Sequence, residues 1–190
     1  LISLASSIGQ IKLHNNGNEI FYLKPNNGLN SIKGTFSNRF GFCEFPLHTD
    51  TAFFSKPVRY MILSSENLST SLTTVLPFSE VFKHLTKIEK YKAQRAIYRV
   101  CTCEGIFFTS LIFREMGEIG IKYDPTCMFP VNDSAIEVDR KIQEALSIIT
   151  PDYIKWTGNN ILIVDNWKTL HGRTKADKEE NRILKRIYIN

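Results

Sequence analysis

The segment Phe45-Pro-Leu-His48-Thr-Asp50 sets an imidazole and a carboxylate two residues apart. In an extended strand residues i and i+2 project to one face, so His48 and Asp50 can offer a nitrogen and an oxygen to the same metal ion. A second histidine closes Asp165-Asn-Trp-Lys-Thr-Leu-His171, followed by Gly-Arg173. Two histidines and one carboxylate on one face of an octahedral ion leave three positions open. That donor set suits a non-haem Fe(II) that must also take a cosubstrate and O₂. Arg182 and Arg186 follow His171 by eleven and fifteen residues. Strand alternation puts Arg182, Leu184 and Arg186 on one face and Ile183, Lys185 and Ile187 on the other. An arginine held inside a fold is costly unless it meets an anion, and its planar fork matches a carboxylate at two points where lysine is a point charge. His-x-Asp alone is a common pair; three segments in this order weigh much more.

Short β-branched and aromatic runs broken by turn residues would carry these groups. Ile11-Lys-Leu13 and Glu19–Leu23 flank Asn15-Asn-Gly-Asn18 and read as a hairpin. Residues 26–33 read as loop. Further strands are expected at 58–64, 96–101, 105–114, 118–122, 152–156, 160–165 and 182–189. Two helices interrupt them. In 78–94, Phe78, Val81, Phe82, Leu85, Ile88 and Tyr91 recur at helical steps, and in 134–149 Ile136, Ile142, Leu146 and Ile149 do so more loosely. Asn132-Asp133-Ser134 supplies capping side chains, with Glu137 placed for a box with Ser134. The expectation is one β-rich domain over residues 1–190, a barrel or jelly roll with helices packed outside near 78–94 and 134–149.

Composition narrows the classes. The 190 residues are 43% hydrophobic and 23% charged with a net charge of +5, which excludes a disordered or fibrous chain. No apolar run approaches the ~18 residues that span a bilayer, and no signal peptide is visible, so a reducing, cytoplasmic setting is expected. Cys43, Cys101, Cys103 and Cys127 show no disulfide pattern, and Cys101-Thr-Cys103 lacks a second pair to make a zinc site. A nucleic-acid partner is disfavoured because Asp177, Glu179 and Glu180 interrupt the basic stretch from Lys168 to Arg186. Lys175 and Lys178 read as solvated, His14 and His84 as surface residues, and Trp156 and Trp167 as packing anchors.

The three motifs together resemble the taurine dioxygenase and clavaminate synthase-like family of Fe(II)/2-oxoglutarate-dependent oxygenases. The resemblance rests on His48-Thr-Asp50, Asp165-Asn-x-x-x-x-His171-Gly-Arg173-Thr and Arg182-x-Leu-x-Arg186. It implies a mainly β fold with a double-stranded β-helix (jelly-roll, cupin-like) core and flanking helices. It implies His48, Asp50 and His171 as iron ligands, and Arg182 on the distal carboxylate of 2-oxoglutarate. Thr70 is the expected threonine on that carboxylate, with Thr73 and Thr74 as rivals. Arg186 would lie near the cosubstrate or an acidic group of the substrate, and Lys122 is a further candidate to meet a substrate carboxylate. The activity implied is O₂-dependent hydroxylation or desaturation of a small molecule with release of succinate and CO₂. An amino acid or amino-acid-derived metabolite is the first substrate class and another small acid the second. Retention of Asp50 argues against halogenation, in which a small residue replaces this carboxylate. No nucleic acid and no membrane is expected as a partner. Only 47 residues precede His48, fewer than the family carries, so this is either a compact member or a sequence lacking part of its lid. A non-catalytic metal-binding β-barrel relative with a binding or regulatory role is the alternative.

Overall fold

A computed structural model describes residues 1–102, 105–177 and 182–190; Cys103, Lys178, Glu179 and Glu180 lie outside the described residues. The N-terminal part runs α1 (Ile2–Ile8), β1 (Ile11–Lys12), β2 (Phe21–Leu23), α2 (Phe36–Phe40), β3 (Phe45–His48), β4 (Tyr60–Ser65) and β5 (Leu68–Pro77). The middle part holds α3 (Phe78–Lys83), α4 (Lys87–Ala93), β6 (Ile97–Thr102), β7 (Gly105–Ser110), β8 (Ile112–Glu115), β9 (Glu118–Ile121) and β10 (Met128–Pro130). It is followed by α5 (Asp133–Ile148), β11 (Asp152–Thr157), β12 (Ile161–Asp165), β13 (Thr169–Arg173) and β14 (Leu184–Ile189).

Two antiparallel sheets carry the site. In one, β14 lies between β4 and the pair β1 and β2, and β12 closes the far edge; the other has the order β11-β5-β13-β3. Alternation on β14 is as the sequence demands, with Leu184 and Tyr188 in a buried cluster with Met61, Leu63, Trp156 and Val164, and Ile187 and Ile189 packing with Ala5 and Ile62 on the opposite face. Trp156 comes from the second sheet, so this cluster joins the two. A further sheet, β10-β6-β7, and helices α3 to α5 cover the other side of β11-β5-β13-β3. There Leu76 and Leu170 pack with Phe78, Val81, Tyr98, Val100, Val138 and Ile142.

Several local expectations are corrected. β1 and β2 do not form a hairpin. Ile11 and Lys12 pair with Ile189 and Tyr188, while Phe21 to Leu23 pair with Arg186 to Leu184. The two pieces are too short to support each other, so both take their hydrogen bonds from β14 while the Asn-rich segment between them loops out. The 78–94 helix is two helices. It breaks after His84, and Thr86 restarts it with a capping box in which its hydroxyl accepts from the Glu89 N–H and Glu89 accepts from the Thr86 N–H. Asn132, not Ser134, caps α5 by accepting from Ala135 N–H at 2.9 Å, and Glu137 pairs instead with Lys92 of α4. β5 is a ten-residue strand that its Ser/Thr-rich sequence conceals. Among the described residues, no helix is long and apolar enough to cross a membrane.

Candidate active site

His48 ends β3, and His171 is its register partner on β13. The register shifts between His171 and Arg173, and Gly172 makes the close approach possible. A Cβ there would stand 2.6 Å from the Phe45 carbonyl and 2.8 Å from Thr74 Oγ1. The two imidazoles are therefore brought side by side, with centroids 4.4 Å apart and planes tilted by 46°. His48 Nδ1 donates to the Pro46 carbonyl at 2.8 Å, which fixes the tautomer and leaves Nε2 with its lone pair. His171 Nε2 lies 4.0 Å from Asp50 Oδ2. Burial first, then the neighbouring His48, pushes the His171 pKa down to about 3, so its ring is neutral and able to ligate.

Asp50 sits just past β3, on the turn that the strand enters. Burial by itself would raise its carboxyl. Arg186, then His171 and His48, and the Tyr188 hydroxyl that donates to it, hold it well below the usual carboxylate range. Arg186 Nη1 is 2.9 Å from Asp50 Oδ2, and the Thr51 N–H donates to Oδ1 at 3.2 Å. The Asp50 backbone is held by Asn166, which is fully buried just beyond β12. His14, expected at the surface, is buried instead. Its Nε2 donates to the Arg186 carbonyl at 3.1 Å, and its ring packs on Tyr188 at 4.6 Å. Nothing in its Asn-rich surroundings signals this.

Arg182 is buried just before β14, with Nη2 3.3 Å from Thr73 Oγ1, and the Trp156 indole N–H donates to that same oxygen at 3.0 Å. Thr70 is exposed on β5. The pairing of β5 with β11 shifts register between Ser69 and Thr73, so simple alternation does not relate the two threonines. By its contact, Thr73 is the threonine beside Arg182. Arg173 is enclosed as well. It is buried, donates through Nη2 to the carbonyls of Gly41 at 2.7 Å and Cys43 at 2.6 Å, and lies 3.7 Å over the Phe45 ring. It thereby ties down the end of α2, whose Phe36 stacks on the His48 imidazole at 4.0 Å. Lys122 does not reach the site. Its Nζ is enclosed by the carbonyls of Phe54 and Ser55 and the Thr109 hydroxyl at 2.8–3.0 Å. Trp156 and Trp167 are packing anchors, each almost fully buried.

These groups suit an Fe(II) ion in donor chemistry: two imidazoles and an ionised carboxylate, all buried. Their spacing is more open than a ligand cage. Adjacent ligands of an octahedral ion at about 2.1 Å stand about 3 Å apart, less than the 4.0 Å between His171 and Asp50. Among the described residues no three His, Cys, Asp or Glu stand at ligand spacing about one point. The donor types fit the ion, and in this structure the Asp50 carboxylate is engaged by Arg186. A surface cavity of about 360 Å³ lies apart from them, lined by Tyr22, Lys24, Glu66, Asn67, Ile183 and Lys185.

No family model matches the sequence, and no curated protein matches it. Solved structures do match. An asparagine oxygenase in complex with Fe(II), 2S,3S-3-hydroxyasparagine and succinate superposes with a TM-score of 0.79 at 17% identity, over 98% of this chain and 62% of that one. The non-heme iron oxygenase OrfP with Fe and alpha-ketoglutaric acid gives 0.74 at 16% identity, over 98% and 62%. The PvcB protein from Pseudomonas aeruginosa gives 0.70 at 17%, over 100% and 69%. The chain thus spans less than two thirds of the first two proteins. It is mainly β with flanking helices, and its fold is the one on which these oxygenases are built.

Proposed function

We propose that this chain forms the metal-binding part of an Fe(II)/2-oxoglutarate-dependent oxygenase that hydroxylates or desaturates a small molecule. The observation that carries the reading is the register pairing of His48 with His171 across β3 and β13, with Asp50 on the following turn and all three side chains buried. Bound Fe(II) supplies the O₂-dependent oxidation of a C–H bond coupled to conversion of 2-oxoglutarate to succinate and CO₂. His48, Asp50 and His171 hold the ion, in the double-stranded β-helix that the two sheets would form. Arg182 takes the distal carboxylate of 2-oxoglutarate, with Thr73 in the role expected of Thr70. Arg186, the cation nearest the ligand set, meets an acidic group of the substrate. An amino acid or a metabolite derived from one is the substrate class, in keeping with the hydroxyasparagine and hydroxyarginine bound by the similar enzymes.

The test is succinate release from 2-oxoglutarate with Fe(II) and O₂ across a panel of amino acids. Wild type is expected to form succinate and His48→Ala to fall to background, a loss of at least about 10³-fold for a deleted metal ligand. Wild-type-like turnover in His48→Ala would sink the assignment. A second reading, a metal-binding relative without turnover, is favoured by the ion pair that ties Asp50 to Arg186. It predicts metal and 2-oxoglutarate binding with no decarboxylation, even uncoupled, for any member of the panel.

A further inference from the structure

Asp50 is the one proposed ligand not on a strand, so no ladder of hydrogen bonds fixes where its backbone lies. The next residue, Thr51, has φ of +57°, a conformation that a β-branched residue rarely adopts. A strained turn of this kind persists only where its surroundings over-determine it. Asn166 does so from 116 residues away. Its Oδ1 accepts from the Asp50 N–H at 2.7 Å, and its Nδ2 donates to the Asp50 carbonyl at 2.9 Å and to the Val58 carbonyl at 2.9 Å. The side-chain amide thus pairs with both backbone polar groups of Asp50 and uses its second N–H to close the far end of the loop. Its own backbone N–H donates to the Arg59 carbonyl at 2.9 Å. Asn166 is fully buried, so water does not compete for any of these bonds.

We propose that Asn166 is a positioning residue for the metal carboxylate: it sets the Asp50 backbone, and through it the direction from which the carboxylate reaches the two imidazoles. This rests on the metal-centre reading above. The chemistry explains the residue type. The site needs one acceptor and two donors on a single planar group, which Asn supplies. Asp would bring no donor and Ser only one. Arg186 and Tyr188 act on the carboxylate itself, whereas Asn166 acts on the peptide that carries it.

The experiment is a titration of metal-free protein with Co(II), read by visible absorption, together with thermal melts without metal. Asn166→Ala is expected to weaken Co(II) binding by about 10- to 100-fold, the usual cost of removing an outer partner of a metal ligand. Asn166→Ser, which keeps one hydroxyl in place, follows in the same direction and serves if the alanine variant does not fold. Asn132→Ala is the control. That amide likewise bonds backbone groups of Ala135, Ile97 and Arg95, but it lies at the start of α5, apart from Asp50. It is expected to lower Tm and leave Co(II) affinity unchanged. Asn166 variants that bind Co(II) like wild type overturn the proposal, as does an affinity loss that Asn132→Ala reproduces at equal loss of Tm. A wild-type protein that fails to bind Co(II) at all removes the metal centre, and this inference with it.

Discussion

The two faces of the β11-β5-β13-β3 sheet are held by different physics. On one face Leu76 and Leu170 join Phe78, Val81 and Ile142 in an apolar cluster under α3 and α5. On the other, His48, His171, Thr73 and Arg182 stand in a buried polar region where directional hydrogen bonds fix individual atoms. β13 serves both within two residues, because Leu170 and His171 point to opposite faces. The apolar face contributes stability in proportion to area and tolerates change of shape. The polar face fixes atom positions, and each lost bond leaves a buried group unsatisfied. The first face can therefore absorb substitutions that the second cannot.

The contrast is broken or sharpened most strongly by Ile142→Ala. Ile142 is fully buried on α5, and truncation to alanine costs about 2–5 kcal/mol through lost burial and a residual cavity. Urea denaturation should show that loss, while Co(II) affinity of the folded protein stays within about twofold of wild type. A parallel fall in affinity would mean that the apolar face also sets the ligand geometry, and the division between the faces would not hold.

How far the sequence carried this picture follows the same division. Alternation on β14 and the His-x-Asp strand could be read directly, because each depends on neighbours one or two residues away. The strand-to-strand register that seats His171 on His48 depends on Gly172, whose need for space appears only when β3 is packed against it. Thr73 could not be told from Thr70 because the phase of β5 is set by its partners β11 and β13, not by its own Ser/Thr run. His14 and Asn166 were out of reach for a similar reason. Each acts on a residue more than 110 positions away, and a single sequence gives no sign of which distant carbonyl a side chain will meet. Lys122, expected at a substrate carboxylate, instead has its charge met by backbone oxygens, a contact that no local pattern around it reveals.

Lys122 lies where the two regions join, and a smaller effect is expected there. Its ammonium ties the loop after Asp50, through Phe54 and Ser55, to Thr109 of β7 in the sheet over the apolar cluster. Burial pushes its pKa down to about 8, with Cys127 acting in the opposite direction. Below pH 8 both folded and unfolded chains carry the proton, and the cost of burying the charge is borne in full. Between pH 8 and about 10.5 the folded chain gives up the proton while the unfolded chain keeps it, so stability rises with pH through that window. Lys122→Met leaves two carbonyls without their donor but also removes the buried charge. The net loss at pH 7 should therefore be modest, about 1 kcal/mol. Because methionine does not titrate, the gap between wild type and variant should widen from pH 8 to 10.5 in denaturant titrations. A gap that stays constant or narrows would show that the three oxygens outweigh burial. The join between the polar and apolar regions would then be a strong ionic clamp, not a compromise between them.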